Sequence, residues 1–346
     1  MIDLHVHLRE PGGTHKEDWA TGTASALAGG FTMVLAMPNT KPPVTDARTF
    51  DFSMQAAAQK AHCDYAQYIG ASSNNHNVLP DLAPKAAGLK LYLDQTYGPL
   101  KLDKIDLWMN HLTNWPRNLP IAAHAEGATM AAIILIAALY NRPVHICHIS
   151  RREEILLIKA AKEKGIKVTC EVTPHHLLLS QNEIPSIGER RSEVRPRLAS
   201  PSDQQALWDN FEVIDCIATD HAPHTISEKT SSNPPPGFPG LETAIPLLLT
   251  EVHRARLTME SLVSRLYTNP KRIFNLPDQE DTYIDIDMDT KRIIHASETF
   301  TKCGWTPFEG RKVRGRVQQV VLRGQKAYQD GKILVNPGFG RDVRSI

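Results

Sequence analysis

Eight short runs rich in β-branched and small apolar residues, separated by helical or polar stretches, occupy the first 220 positions of this 346-residue chain. They lie at 2–8, 31–37, 64–70, 88–93, 120–125, 144–149, 167–173 and 213–220. Between them stand "KEDWATGTASALAGG", "GATMAAIILIAALY" and "RREEILLIKAAKEKG", the last ending in a glycine suited to a helix C-terminal cap. Strands that alternate with helices cover both faces of a parallel sheet, and eight such units close into an α/β (β/α)8 TIM barrel. The helical periodicity of "GLETAIPLLLTEVHRA" and "TMESLVSRLY" completes the outer wall. From about Asp278 the period falls to two, in "TYIDIDMD", "RKVRGRVQQVVLRG" and "GKILV". The expected organisation is a barrel over 1–277 and a small C-terminal β appendage over 278–346. The abrupt start, with a strand at Ile2, suggests a domain cut from a longer polypeptide.

Composition narrows the function classes. Lys plus Arg and Asp plus Glu nearly cancel to a net charge of +1, so no nucleic-acid footprint is present. The longest apolar run, "MAAIILIAALY", is too short to span a bilayer, and no signal peptide is visible. The five cysteines form no CxxC pair and three lie in apolar runs, which suits a reducing, cytoplasmic setting.

Polar residues fall where a barrel keeps its chemistry, at the C-terminal ends of the strands. His5 and His7 close the first run, Lys90 lies in the fourth, His124 in the fifth, His148 in the sixth, and Asp220 ends the eighth. Alternation by two puts His5 and His7 on one face, with Arg9 following on the same face. Any one strand histidine is ordinarily a hydrogen-bonded core residue. Four at one rim with a carboxylate suit zinc, and the number of ligands implies two ions. One would take His5, His7 and Asp220, the other His124 and His148, each keeping an open position for a shared hydroxide. A protonated Lys90 beside two dications would be repelled, so it is expected neutral and able to add carbon dioxide. The carbamate would bridge the metals. Alone in "GLKLYL", Lys90 would read instead as an outward-snorkelling strand lysine.

The segments "DLHVHLREPG", "AMPNTKPP", "GLKLYL", "AHAE", "HICHIS", "EVRPRL" and "TDHAPH" resemble the motifs of dihydroorotases of the amidohydrolase superfamily. Across its whole length, including "PPPGFPGLET" and "NPKRIF", the chain is most similar to the dihydroorotase domain of animal-type multifunctional proteins that also carry carbamoyl-phosphate synthetase and aspartate transcarbamoylase. The resemblance implies an amidohydrolase-type barrel, a zinc pair bridged by carboxylated Lys90, and reversible cyclisation of N-carbamoyl-L-aspartate to L-dihydroorotate in pyrimidine synthesis. A metal-bridging hydroxide would attack the ring carbonyl, with Asp220 as general acid and base. The family also implies a homodimer within a larger assembly.

A substrate carboxylate calls for a forked cation with an amide beside it, which Arg9, Asn39 and His224 supply. The resemblance adds Arg195 and the backbone near Pro236; without it, Arg195 is an ordinary surface charge. "LDQTYGPLKL", with Thr96 and Tyr97 before a Gly-Pro breaker, suits a lid over the substrate. Animal members have a threonine and an aromatic here, and phenylalanine rather than Tyr97 is expected. Cys147 and Glu171 on neighbouring strands are a candidate third zinc site; the alternative is a buried small thiol beside a hydrogen-bonded acid. His15, His62, His175, His176 and His221 are read as structural or surface residues. Competing functions are a hydantoinase or dihydropyrimidinase, whose carboxylate-free substrates would not call for Arg9 with Asn39 and Arg195, and a non-catalytic scaffold barrel.

Overall fold

Each of the eight runs carries parallel strand in the computed structural model, which describes residues 1–345. The strands are β1 (Ile2–Val6), β2 (Met33–Ala36), β3 (Asp64–Gln67), β4 (Ile69–Gly70), β5 (Leu89–Tyr92), β6 (Ile121–His124), β7 (Val144–Ile146), β8 (Val168–Val172) and β9 (Cys216–Ile217). The third run is split at Tyr68: β3 pairs with β2 and β4 with β5, so the two share one stave of the barrel. The last run is shorter than expected, because Phe211–Val213 forms a 3-10 turn before only two residues of ladder. A bridge between Val6 and His221 and the bond from His7 N–H to the His221 carbonyl (2.7 Å) join the last stave to the first.

Strand faces separate into two cores. Ile2, Leu4, Met33, Leu35, Ala66, Ala122 and Cys216 fill one buried cluster, closed by Phe274 and Val343, while Val34, Leu89, Leu91 and Ile146 pack in the other with the helices. Strict alternation from Leu4 would send His5 outward. The ladder irregularity between Asp3 and Val6 prevents this. Asp3 Oδ1 accepts the His5 N–H at 3.1 Å, and the same carboxylate takes the Thr219 N–H and hydroxyl, so the strand bends where it meets the last stave.

The helices match their signals. Trp19–Ala28 is capped by Asp18, whose side chain accepts from Thr21 N–H. Arg152–Glu163 ends near Gly165 at φ +73°, and the Ile166 N–H then reaches back to the Ala161 carbonyl at 3.0 Å. Leu241–His253 lies between the barrel and a four-stranded antiparallel sheet, β10 (Tyr283–Ile293), β11 (Lys312–Leu322), β12 (Gln325–Gln329) and β13 (Lys332–Ile333). "TMESLVSRLY" is helical but not regular, since Met259–Val263 passes into a π turn, Ser264–Thr268. All five cysteines are free and buried. Among the described residues no helix is long and apolar enough to cross a membrane.

Candidate metal centre and active site

The C-terminal ends of the staves open onto a narrow cavity lined by His5, His7, His124, His148 and Asp220, with Arg9, Asn39, Thr96, Tyr97, Arg195 and Pro236 around them. Three of these side chains leave left-handed backbone: Arg9 (φ +59°), His148 (φ +36°) and Asp220 (φ +46°). Residues with a Cβ adopt this region at a cost of about 1–3 kcal/mol, and such strain concentrates at sites whose side chains must be aimed.

Protons at the centre can be placed from the partners. A carboxylate only accepts, so His5 donates from Nδ1 to Glu171 Oε1 (2.6 Å), and His145 Nε2 donates to Oε2 (3.1 Å). Asn39 Nδ2 donates to the Tyr97 carbonyl (2.9 Å), which leaves its oxygen to accept from His7 Nδ1 (2.7 Å). Both remaining ring nitrogens face one atom: Asp220 Oδ1 is 3.2 Å from His5 Nε2 and 3.0 Å from His7 Nε2. Burial holds the pKa of His7 down to about 4, with Asp220 opposing. Burial opposes ionisation of Asp220, yet His5 and His7 keep its carboxyl well below the usual range.

In the neutral tautomers that donate from Nδ1, each Nε2 turns a lone pair toward the Asp220 carboxylate, an arrangement that a cation standing among them relieves. His124 and His148 point to a ligand in another way, through nitrogens without partners. They lie 2.9 Å apart (Nδ1 to Nε2), and each has a second buried ring nitrogen, His124 Nε2 and His148 Nδ1, with no hydrogen-bond partner. Burial and Lys90 draw the pKa of His124 to about 3, and burial and His124 take His148 well below its ordinary value. Donor atoms of His5, His148 and Asp220 lie within 4.8 Å of one another. This donor set fits divalent metal.

Lys90 is fully buried on β5 and points inward with Tyr92, its Nζ 2.8 Å from Cys147 Sγ. Cys147 and Glu171 do meet, and their donors with one of His5 lie within 4.8 Å. Both Glu171 oxygens already hold imidazoles, however, and burial pushes the Cys147 thiol well up, with Lys90 opposing. In this geometry Glu171 seats His5. Glu171→Gln is expected to weaken metal retention about 10- to 100-fold, read by competition with a chelator, because the ligand loses the carboxylate that fixes its tautomer.

The substrate side differs in detail from the expectation. Arg9 is buried, donates from Nε to the Pro223 carbonyl (3.0 Å), and lies 5.1 Å from the Tyr97 ring centre. Among the described residues no carboxylate lies within ion-pair distance of it. Asn39 lines the cavity while holding His7 and the Tyr97 loop. His224 stands behind Arg9, 3.0 Å from its guanidinium, between Lys16 and the Pro236 carbonyl. Arg195 reaches the cavity wall but is paired with Glu193. The Tyr97 hydroxyl is 3.5 Å from Lys16 Nζ, a bond that phenylalanine would lack.

Sequence reasoning missed Lys16, Tyr92 and His145. Alternation from Lys90 reaches Tyr92, and alternation from Cys147 reaches His145; Lys16 sits in a turn with no period. His62 and His221 serve structure: His62 bonds the Val335 carbonyl, and His221 contacts Glu17.

Comparison with known proteins extends the geometry. A family model described as dihydro-orotase-like matches residues 1–91. The chain is 58% identical over 345 residues to the multifunctional protein CAD of Squalus acanthias, covering 100% of this chain and 15% of that one. It thus spans only 14–16% of the multifunctional relatives. Among solved structures, L-hydantoinase from Arthrobacter aurescens superposes with a TM-score of 0.91 at 24% identity, over 98% of this chain and 87% of that one, a likeness of fold alone. The inactive dihydroorotase-like domain of a Chaetomium thermophilum CAD-like multifunctional protein gives 0.85 at 29% identity, over 99% and 97%. The dihydroorotase of Pyrococcus abyssi is 34% identical over 365 residues, spanning 99% of this chain and 86% of that protein. Likeness of that degree runs through nearly all of a relative named dihydroorotase, and on it this chain belongs to the dihydroorotase family.

Proposed function

We propose that the chain is a dihydroorotase, catalysing the reversible cyclisation of N-carbamoyl-L-aspartate to L-dihydroorotate in pyrimidine synthesis with two zinc ions. One observation carries the reading: a buried guanidinium with no carboxylate at ion-pair distance among the described residues, Arg9, shares a cavity with the imidazoles of His5, His7, His124 and His148 and with Asp220. A buried cation without an anion is costly, and an anionic substrate supplies the partner.

His5, His7 and Asp220 would hold one ion, His124 and His148 the other, with a carbamate on Lys90 between them. When bound, the ions would polarise the ring carbonyl and lower the pKa of a water. Asp220 takes the proton of the attacking water and delivers it to the leaving ring nitrogen, and reverses both transfers in cyclisation. Arg9 binds the substrate carboxylate, joined by Arg195 once it leaves Glu193, and by backbone at Pro236. Asn39 and His224 keep His7 and Arg9 in place. The Thr96 and Tyr97 loop covers the site and excludes water. A third zinc on His5, Cys147 and Glu171 would require Glu171 to release an imidazole, so the proposal gives that trio the seating of His5. Organisation as 1–277 and 278–346, a homodimer, fusion to carbamoyl-phosphate synthetase and aspartate transcarbamoylase, and a cytoplasmic setting belong to the same proposal.

Two rivals stand beside this reading, a hydantoinase and a non-catalytic scaffold of the kind the inactive neighbour represents. A single preparation separates the three. Zinc near two per chain, with turnover of carbamoyl-aspartate and little of hydantoin, is the expected result. Efficient hydantoin turnover would select the first rival, and a metal-loaded protein inert on both the second.

A further inference from the structure

Lys229 is the last residue of a one-turn helix, Ile226–Lys229, that begins two positions after His224. It is fully buried, and its ammonium donates to backbone alone: Nζ reaches the Glu193 carbonyl at 2.5 Å and the Pro235 carbonyl at 3.0 Å. The rings of Phe238 and Trp305 each lie with centres 5.5 Å from Nζ. Burial draws its pKa down to about 7, with Glu193 opposing. Keeping a desolvated ammonium costs several kcal/mol before its partners are counted, and a methionine would fill the same space without that cost.

The bonds it makes join separate segments. Glu193 belongs to the loop that carries Arg195, and its carbonyl also accepts the Gly237 N–H at 3.1 Å. Pro235 precedes Pro236 and Gly237 on the cavity wall. Gly237 has φ +142° and lies so close to Ala222 that an added Cβ would sit 2.4 Å from the Ala222 oxygen, which ties this loop to the segment bearing Asp220 and His224. Trp305, over Lys229, donates its indole N–H to the His224 carbonyl at 2.8 Å. Three loops that wall the substrate side therefore meet at one buried charge, which itself does not line the cavity.

We infer that Lys229 is a positioning residue for substrate binding: by drawing the Glu193 and Pro235 carbonyls onto one ammonium, it sets the spacing between Arg195 and the Pro236 backbone that admits a carboxylate-bearing substrate. This rests on the dihydroorotase reading. The fixed framework explains how loops without regular structure hold a small ligand from both sides, since polar contacts lose most of their value when a wall moves by about 1 Å.

The test begins with the unaltered zinc-loaded protein. Failure to turn over carbamoyl-aspartate would sink the functional reading itself. Given turnover, Lys229→Met keeps side-chain length and removes the charge. KM for carbamoyl-aspartate is expected to rise about 10- to 100-fold, with kcat within about threefold and zinc content unchanged. An unchanged KM, or a parallel fall of kcat, zinc and melting temperature, would overturn the positioning role. Trp305→Phe keeps a ring over Lys229 and removes the bond to the His224 carbonyl, so it serves even where Lys229→Met does not fold. Its KM is expected to rise about three- to tenfold, and a folded Trp305→Phe with unaltered KM would overturn the proposal as well.

Discussion

Lys90→Ala is expected to lose most of its bound metal and at least about a thousandfold in turnover, a barrier change of about 4 kcal/mol. The expectation comes from where the lysine stands. It is fully buried on β5, inward-facing, beside the stave that carries His124, and the nearest bonding partner is a thiol rather than a carboxylate. A permanently charged ammonium there would repel any dication held by the neighbouring imidazoles, whereas the proposed carbamate turns the same position into an anionic ligand. Native mass spectrometry should find the loaded protein heavier by one carbon dioxide, and the increment should be absent from Lys90→Ala. Full metal content and activity in the variant would refute the bridging role.

Asp220→Asn should lower kcat by about 10²- to 10⁴-fold in both directions of the reaction while KM moves much less. Asparagine is the informative substitution because position 220 has φ +46°, a conformation that asparagine tolerates better than alanine does. The variant isolates the loss of the carboxylate charge and proton acceptor from backbone strain. Metal content must be measured alongside, since Asp220 Oδ1 also faces His5 and His7. Turnover near that of the unaltered protein, with metal retained, would remove Asp220 from proton transfer.

The barrel was legible because its signals are local. Each stave is announced by its own apolar run, and the five helical segments read between and after them by a glycine stop or a period. What escaped depended on partners far along the chain. The split at Tyr68 follows from β2 and β5 each capturing part of the run, and the short β9 from the turn at Phe211–Val213. The metal-ligand candidates were readable because histidines at strand ends break an apolar pattern. Their inward aim on β1, by contrast, needs Asp3 to draw the His5 N–H out of the ladder, a contact with Thr219 across 216 positions that no period encodes.

Substrate-side residues were the hardest to read. Arg9 could be placed by its spacing from His7, but the company of His224 and Asn39 could not. His224 backs Arg9 instead of lining the cavity, because Lys16 and the Pro236 carbonyl hold its ring from behind. Arg195 reaches the cavity only because the chain around Glu193 is tied across to Gly237. Lys229 had no sequence signal at all, since a lysine ending a short polar helix ordinarily faces water.

The seam between the first and last staves bears on how the chain reaches its native state. His7 and Asp220 are 213 positions apart, and the bond that joins their staves, His7 N–H to the His221 carbonyl, lies between these two site residues. Closing a segment of that length costs about 5 kcal/mol of chain entropy, so the contact is made late. A nascent chain emerging from the ribosome therefore passes through a long interval in which the first stave is exposed and unpaired on one edge. Assembly of the site and closure of the barrel are one kinetic event, and metal that engages both ends should slow unfolding more than it speeds folding.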